Sequence, residues 1–150
     1  MLIYAKDRDA LPLYRAHPHD AGFDLAIPKP VIIKPYELKV IRTGIHIYLK
    51  PNEVAKVEPR SSTAKSGLLV ISGTIDSGYT GDIGIQCLNF TEEAATFPEG
   101  FRLAQLIVLQ LSQNSFEGFK EIPIKQYREL TNDSPRGDNG FGSSGKLINQ

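Results

Sequence analysis

Four segments of the chain hold polar residues in places that structure alone does not require. In Gly73-Thr74-Ile75-Asp76-Ser77-Gly78-Tyr79-Thr80-Gly81-Asp82-Ile83, apolar stretches flank a glycine-rich turn, the pattern of a β-hairpin. Asp76 falls at the end of the incoming strand, so its carboxylate stands in the hairpin mouth, where it can take a proton from water. An Asx-turn aspartate is the plain structural alternative. In Pro59-Arg60-Ser61-Ser62-Thr63-Ala64-Lys65-Ser66-Gly67, hydroxyls and backbone N–H groups at a helix start lie beside an arginine, which suits an anion. A helix cap explains the serines equally well, though not the arginine. In Asp20-Ala21-Gly22-Phe23-Asp24-Leu25, two acids flank Ala-Gly-Phe, by itself a turn before a strand. The fourth segment is Arg136-Gly137-Asp138-Asn139-Gly140-Phe141-Gly142-Ser143-Ser144-Gly145. Its glycines let backbone N–H groups approach phosphate oxygens and its serines add donors. The Gly-Lys-Ser/Thr ending of a Walker A loop is missing. His17, His19 and His46 form no His-x-x-x-His pair and Cys87 has no second cysteine, so zinc and covalent catalysis are not expected.

The elements that must position these groups are short. Leu38 and Val40 alternate with Glu37 and Lys39; after Gly44, Ile45, Ile47 and Leu49 alternate with His46, Tyr48 and Lys50. Period two with β-branched residues, cut by Pro35, Gly44 and Pro51, predicts half-buried strands. Further strands are predicted near 2–5, 31–33, 54–57, 68–71, 83–89 and 103–111. The expected fold is all-β, a jelly-roll-like sandwich, with one short helix starting at Ser61 as N-cap and ending at Gly67. Leu103 to Leu111 is apolar on both faces, so each face needs cover, one layer of it expected from another subunit. Residues 1–130 are expected to form the β domain. Residues 131–150, rich in glycine and serine, cannot bury enough to fold alone and are expected to form a flexible C-terminal arm.

Lys+Arg 17 against Asp+Glu 17 gives a net charge of zero, which argues against coating nucleic acid by bulk electrostatics. No apolar run approaches the roughly 20 residues needed to span a bilayer, and the N-terminus lacks the pattern of a signal peptide. One cysteine suits a reducing compartment. The expectation is a soluble intracellular chain with no nucleic-acid or membrane partner.

Taken in order, the segments resemble the five motifs of the trimeric dUTPase family. Ala21-Gly22-Phe23-Asp24-Leu25 is similar to motif one, and Pro59-Arg60-Ser61-Ser62 with Ala64 and Gly67 to motif two. Gly73-Thr74-Ile75-Asp76 through Tyr79 and Gly81 resembles motif three, Gly100-Phe101-Arg102-Leu103-Ala104-Gln105-Leu106 motif four, and Arg136 through Gly145 motif five. The match covers about residues 20 to 145. The resemblance implies a homotrimer, completed by neighbouring arms, that hydrolyses dUTP to dUMP and pyrophosphate with Mg²⁺. It implies Asp76 as general base and Tyr79 packed under the deoxyribose, excluding a 2′-hydroxyl. Main-chain groups from Val70 to Thr74 and Ile83 to Ile85, with Gly73, Ile75 and Ile83 foremost, would read uracil. Arg60, Ser61, Ser62 and Gln105 would meet the phosphates. Arg136 would reach the γ-phosphate, Phe141 would cover the uracil ring, and Gly142, Ser143 and Ser144 would meet phosphate oxygens. The metal would be held by the phosphates, with Asp24 ordering metal-bound water or bracing the site. A cytoplasmic setting is implied, or host cytoplasm for a viral or phage protein.

The sequence departs from the family pattern at Phe101, where aspartate is common, at Ser62-Thr63 in place of Gly-Leu, and at Ser-Ser-Gly in the tail. The related dCTP deaminases share the fold and the Ser-Ser variant, but carry a glutamate on the strand after motif three. The corresponding residue here is Gln86, whose amide cannot titrate. An inactive relative used for protein contacts is the other alternative, and a regulatory protein partner is compatible with activity.

Overall fold

Short alternating runs broken by turn residues leave little room for helix, and the computed structural model, which describes residues 2–113, 118 and 120–131, is accordingly built of strands. Among those residues the elements are β1 (Ile3–Lys6), β2 (Gly22–Ala26), β3 (Val31–Ile33), β4 (Leu38–Arg42), β5 (Ile45–Tyr48), β6 (Glu53–Pro59), α1 (Ser61–Ala64), β7 (Leu68–Ile71), β8 (Gly73–Ile75), β9 (Gly84–Asn89), β10 (Ala95–Phe97), β11 (Arg102–Gln110) and α2 (Ile124–Leu130). The chain divides into two units, Met1–Ser115 and Phe116–Gln150. In the second, α2 is an exposed single helix, entered from Pro123 and closed by the Thr131 N–H on the Tyr127 carbonyl at 3.1 Å. It was not among the expected elements.

In the first unit all pairing is antiparallel. One sheet runs β2-β11-β6-β8, a second β4-β9-β7, and the pairs β1-β5 and β10-β3 complete the jelly-roll sandwich. The core lies on the inner faces, with Leu25, Ile27, Ile33, Ile85, Leu103 and Leu106 almost wholly covered. β11 is the spine of its sheet, flanked by β2 and β6. A register shift between Arg102 and Ala104 bulges the strand, which lets the consecutive residues Leu103 and Ala104 both be buried.

The outward faces carry more apolar surface than one chain covers. On β11, Ile107 and Leu109 share the outer side with Gln105, Lys56 and Glu58, and Leu109 is 46% exposed. The expected cover on that side does not come from the first unit. On β4, Leu38 and Val40 are 59% and 53% exposed, because Ile41 pairs with Ile85 in the core and period two turns its neighbours outward. Leu69 and Ile71 on β7 face the same way.

Among the described residues three polar side chains are buried, and each ties elements together. Thr63 Oγ1 donates to the Leu103 carbonyl at 2.8 Å, locking α1 onto β11. Thr43 Oγ1 donates to the Ile83 carbonyl at 2.7 Å and accepts the Ile45 N–H. Asn89, at the end of β9, directs its amide nitrogen at the carbonyls of Ile33, Lys34 and Glu93 and accepts both donors of Thr91. Cys87, two residues earlier on β9, is buried as well, and desolvation pushes its thiol up to about 11, which makes it a packing group rather than a reactive one. Because Asn89→Ala orphans several buried groups at once, it is expected to destabilise the fold by about 3 kcal/mol. Urea denaturation with an unchanged m-value measures this; a loss below about 0.5 kcal/mol would contradict the clasp.

Candidate functional site

The sequence-predicted residues fall into two groups on the first unit. The first sits where β2, β11 and the end of β6 meet. β11 sets Gln105 opposite Asp24 on one side and Glu58 on the other. Arg60 follows the end of β6 and is the N-cap position of α1, in an extended conformation and without a side-chain cap bond. The expected Ser61 cap is therefore corrected: Ser61 is already the first helical residue, so its hydroxyl is turned outward, and it lines the pocket. Ser62 is exposed on the same turn, outside the pocket lining.

Asp24 is the hub of this group. Its Oδ1 lies 2.7 Å from Arg60 Nε and its Oδ2 3.0 Å from Arg102 Nη1, while its own side chain is only 14% exposed. Arg60 Nη1 also donates to the Arg102 carbonyl at 2.8 Å, and the Arg102 guanidinium lies 4.9 Å from the Tyr14 ring centre. Gln105 Nε2 donates to the Pro59 carbonyl at 2.9 Å. A Cβ on Gly22 would come within 2.4 Å of the Gln105 side-chain oxygen, so glycine is what lets that amide lie there. Arg60 and Arg102, paired by the Asp24 carboxylate, line a pocket of about 400 Å³ together with Ser61, Gln105 and Asp20, and their guanidinia are the groups there that suit a phosphate chain. Arg102 and Tyr14 were not singled out from sequence; only the sheet reveals that they converge on Asp24.

The second group surrounds the loop 76–83. Gly73, Ile75, Asp76, Tyr79 and Ile83 line one pocket of about 230 Å³ together with Val40, Arg42, Asp82 and Gln86. The expected β-hairpin is corrected here. β8 pairs with β6, whereas both edges of β9 are occupied by β4 and β7, so no edge of β9 is left for β8 and the loop crosses between sheets. Asp76 does stand at the end of the incoming strand, exposed. The turn after it is closed by its main-chain carbonyl, which accepts the Tyr79 N–H at 3.0 Å. The Tyr79 ring lies against Gly81, where a Cβ would meet its hydroxyl oxygen at 2.4 Å, and that hydroxyl donates to the Asp82 carbonyl at 3.0 Å.

Arg42 and Asp82 form an ion pair beside this pocket, and Asp82 Oδ2 accepts the Gly44 N–H at 3.2 Å. The Asp82 carboxylate raises the Arg42 pKa above its ordinary value. Gly44 adopts φ +68°, and a Cβ there would press on Ala10 at 2.8 Å. Neither Arg42 nor Asp82 was flagged from sequence, since one reads as strand and the other as turn.

The two groups are far apart on one chain. Gly73 pairs with Val57 and Ile75 with Ala55, so Asp76 is level with Val54. Arg60 lies six residues further along, which at about 3.3 Å per residue is a separation of about 20 Å. Arg136, Phe141, Gly142, Ser143 and Ser144 lie outside the described residues. Among the described residues no cluster of three or more His, Cys, Asp or Glu side chains is placed to hold a metal, and both oxygens of Asp24 face arginines. With both oxygens held by guanidinia, Asp24 is not set up as a direct ligand for a hard cation.

Comparison with known proteins bears on this geometry. The dUTPase family model matches residues 9–145. The chain is 37% identical to the deoxyuridine 5'-triphosphate nucleotidohydrolase of Clostridium kluyveri, over 98% of this chain and 99% of that one. It is 42% identical over 126 residues to the Pol polyprotein of equine infectious anemia virus, covering 84% of this chain but only 10% of that protein. The structure of Staphylococcus bacteriophage 80alpha dUTPase with dUPNHPP superimposes with a TM-score of 0.84 at 25% identity, over 97% of this chain and 99% of that chain. The motif order, the sandwich and these matches agree: the chain belongs to the dUTPase family.

Proposed function

We propose that the chain hydrolyses dUTP to dUMP and pyrophosphate, as a homotrimer and with Mg²⁺. The observation that carries this reading is the placement of Asp76 and Tyr79 in one pocket at the end of β8, in a chain of the dUTPase family. Asp76 accepts a proton from water as the water oxygen bonds to the α-phosphorus. The bond from that phosphorus to the bridging oxygen breaks, and pyrophosphate leaves. General-base assistance of this kind supplies about 10²–10⁴ in rate. Gly73, Ile75 and Ile83 offer main-chain groups to uracil, and Tyr79 fills the space a 2′-hydroxyl would need.

Arg60, Ser61, Ser62 and Gln105 receive the phosphates, with Arg102 supporting Arg60 through their shared carboxylate. Mg²⁺, when carried by the triphosphate, would screen its charge. Asp24 braces the two arginines and would meet such an ion only through water. The arm, residues 131–150, closes the site, with Arg136 on the γ-phosphate, Phe141 over uracil, and Gly142, Ser143 and Ser144 on phosphate oxygens.

The distance between the two groups supports a site shared between copies of the chain. One nucleotide cannot bridge about 20 Å from a water beside Asp76 to phosphates beside Arg60, so the groups meet between copies. The open apolar faces of β4, β7 and β11 supply surface for that assembly. Gln86 lines the nucleoside pocket and its amide cannot shuttle protons, which speaks against deamination. The setting is cytoplasmic, or host cytoplasm for a viral or phage protein, with neither nucleic acid nor membrane as partner.

Asp76→Asn is expected to retain dUTP binding and lose at least about a hundredfold in kcat, measured by pyrophosphate release; near-normal kcat would remove the base from Asp76, and ammonia release from dCTP by the wild-type chain would replace the reaction altogether. Tyr79→Ala is expected to raise kcat/KM for UTP relative to dUTP roughly tenfold or more, since the sugar's extra hydroxyl then has room. Unchanged selectivity would assign sugar discrimination elsewhere.

A further inference from the structure

His46 lies on β5, outside both pockets, yet it touches the loop that carries Asp76 and Tyr79. Its Nδ1 is 3.1 Å from the Thr80 carbonyl oxygen and its Nε2 is 3.3 Å from Asp7 Oδ1, just beyond β1. Both partners can only accept: a carbonyl oxygen and an ionised carboxylate offer no proton. A neutral imidazole carries one N–H and satisfies one of them; the imidazolium donates to both at once. About a third of the side chain is exposed (34%), so the ring can exchange its proton with solvent.

We propose that His46 is a positioning residue, a protonation-dependent tether that holds the middle of the loop 76–83 against the end of β1. The far end of the loop is held independently of pH, by the Ile83 N–H on the Ile45 carbonyl at 2.8 Å and by Thr43 on the Ile83 carbonyl. Between that anchor and β8, Thr80 is where a side chain from another strand grips the main chain, next to Tyr79. The inference rests on the proposed role of this loop in binding and hydrolysis.

The charged groups that act on the ring are Asp7, just beyond β1, and Asp82 from the loop; the neighbouring cations Lys6 and Arg42 are engaged elsewhere. Lys6 Nζ is turned to the Ala10 carbonyl at 2.9 Å and Arg42 is paired with Asp82, so Asp7 is the carboxylate that meets the ring directly. The Thr80 carbonyl first, then Asp7 and Asp82, raise the His46 pKa above 6.5 against the opposing effect of desolvation. A raised value means the two-point tether is complete below about 6.5 and falls to a single contact as pH rises through the folded-state pKa.

The test combines an NMR titration of His46 with amide hydrogen exchange in the wild type, Asp7→Asn and His46→Gln. The wild-type ring is expected to titrate above 6.5, with a lower midpoint in Asp7→Asn. At pH 6, exchange of the Tyr79 amide, corrected for intrinsic rates, is expected to be about threefold to tenfold faster in His46→Gln than in the wild type. The difference between the two is expected to shrink at pH 8, where the neutral ring can hold only one of its two partners. With dUTP, the wild-type KM is expected to rise between those pH values by a factor that His46→Gln lacks. A midpoint at or below 6.5, or Tyr79 exchange indifferent to the substitution, overturns the tether whether or not dUTP is turned over. A tether that behaves as expected in a chain that leaves dUTP intact contradicts the proposed activity alone.

Discussion

The antiparallel register of β8 on β6 governs how the rest of the molecule can work. With Gly73 opposite Val57, the strand that ends in Asp76 runs back toward the start of β6, while Arg60 and Ser61 follow its far end. A carboxylate suited to activating water and a pair of arginines suited to phosphate are thus fixed at opposite ends of one rigid strand. Neither can move to the other without breaking the sheet. The outward apolar residues Leu38, Val40, Leu69 and Leu109 offer the surface that the proposed assembly would use.

The basic end depends on a balance that a neutral chain can maintain. Lys+Arg and Asp+Glu are equal in number, so an anion site has to be made by placement rather than by excess charge. Asp24 fixes two guanidinia with one carboxylate, which preorganises them side by side in the pocket. Backbone and amide contacts complete the arrangement: Arg60 on the Arg102 carbonyl, Gln105 on Pro59, and Gly22 making room for Gln105. At the other end, Asp82 takes Arg42 and the Gly44 N–H, and His46 takes the Thr80 carbonyl, so the loop around Tyr79 is shaped by residues from β4 and β5.

Much of this was legible where local pattern decides the outcome. The runs at 31–33 and 68–71 read as strands because β-branched residues lie between turn signals, and they form β3 and β7. The strand leading into Asp76 and the one after the turn at Asp20 were also anticipated and form β8 and β2, whereas β10 was missed because it is only three residues long and opens on Ala95; tertiary pairing with β3, not propensity, makes it a strand. The hairpin expectation failed because a glycine-rich turn between apolar segments does not reveal which sheet edges are already taken. Asp76, Tyr79, Arg60 and Gln105 were found through motif spacing. Arg102, Tyr14, Arg42, Asp82 and His46 were not, since each gains its meaning from a contact across about 30 or more residues that one-dimensional spacing does not encode.

The division of the site between copies is tested most directly by subunit mixing. Asp76→Asn chains and Arg60→Gln chains, each inactive alone, are unfolded together in equal amounts and refolded. Random assembly then pairs an intact basic group with an intact Asp76 in about a quarter of the sites, so pyrophosphate release from dUTP should recover to about a quarter of the wild-type rate. If both groups of one site came from a single chain, every site would carry a defect, and a mixture no more active than its separate components would contradict the account.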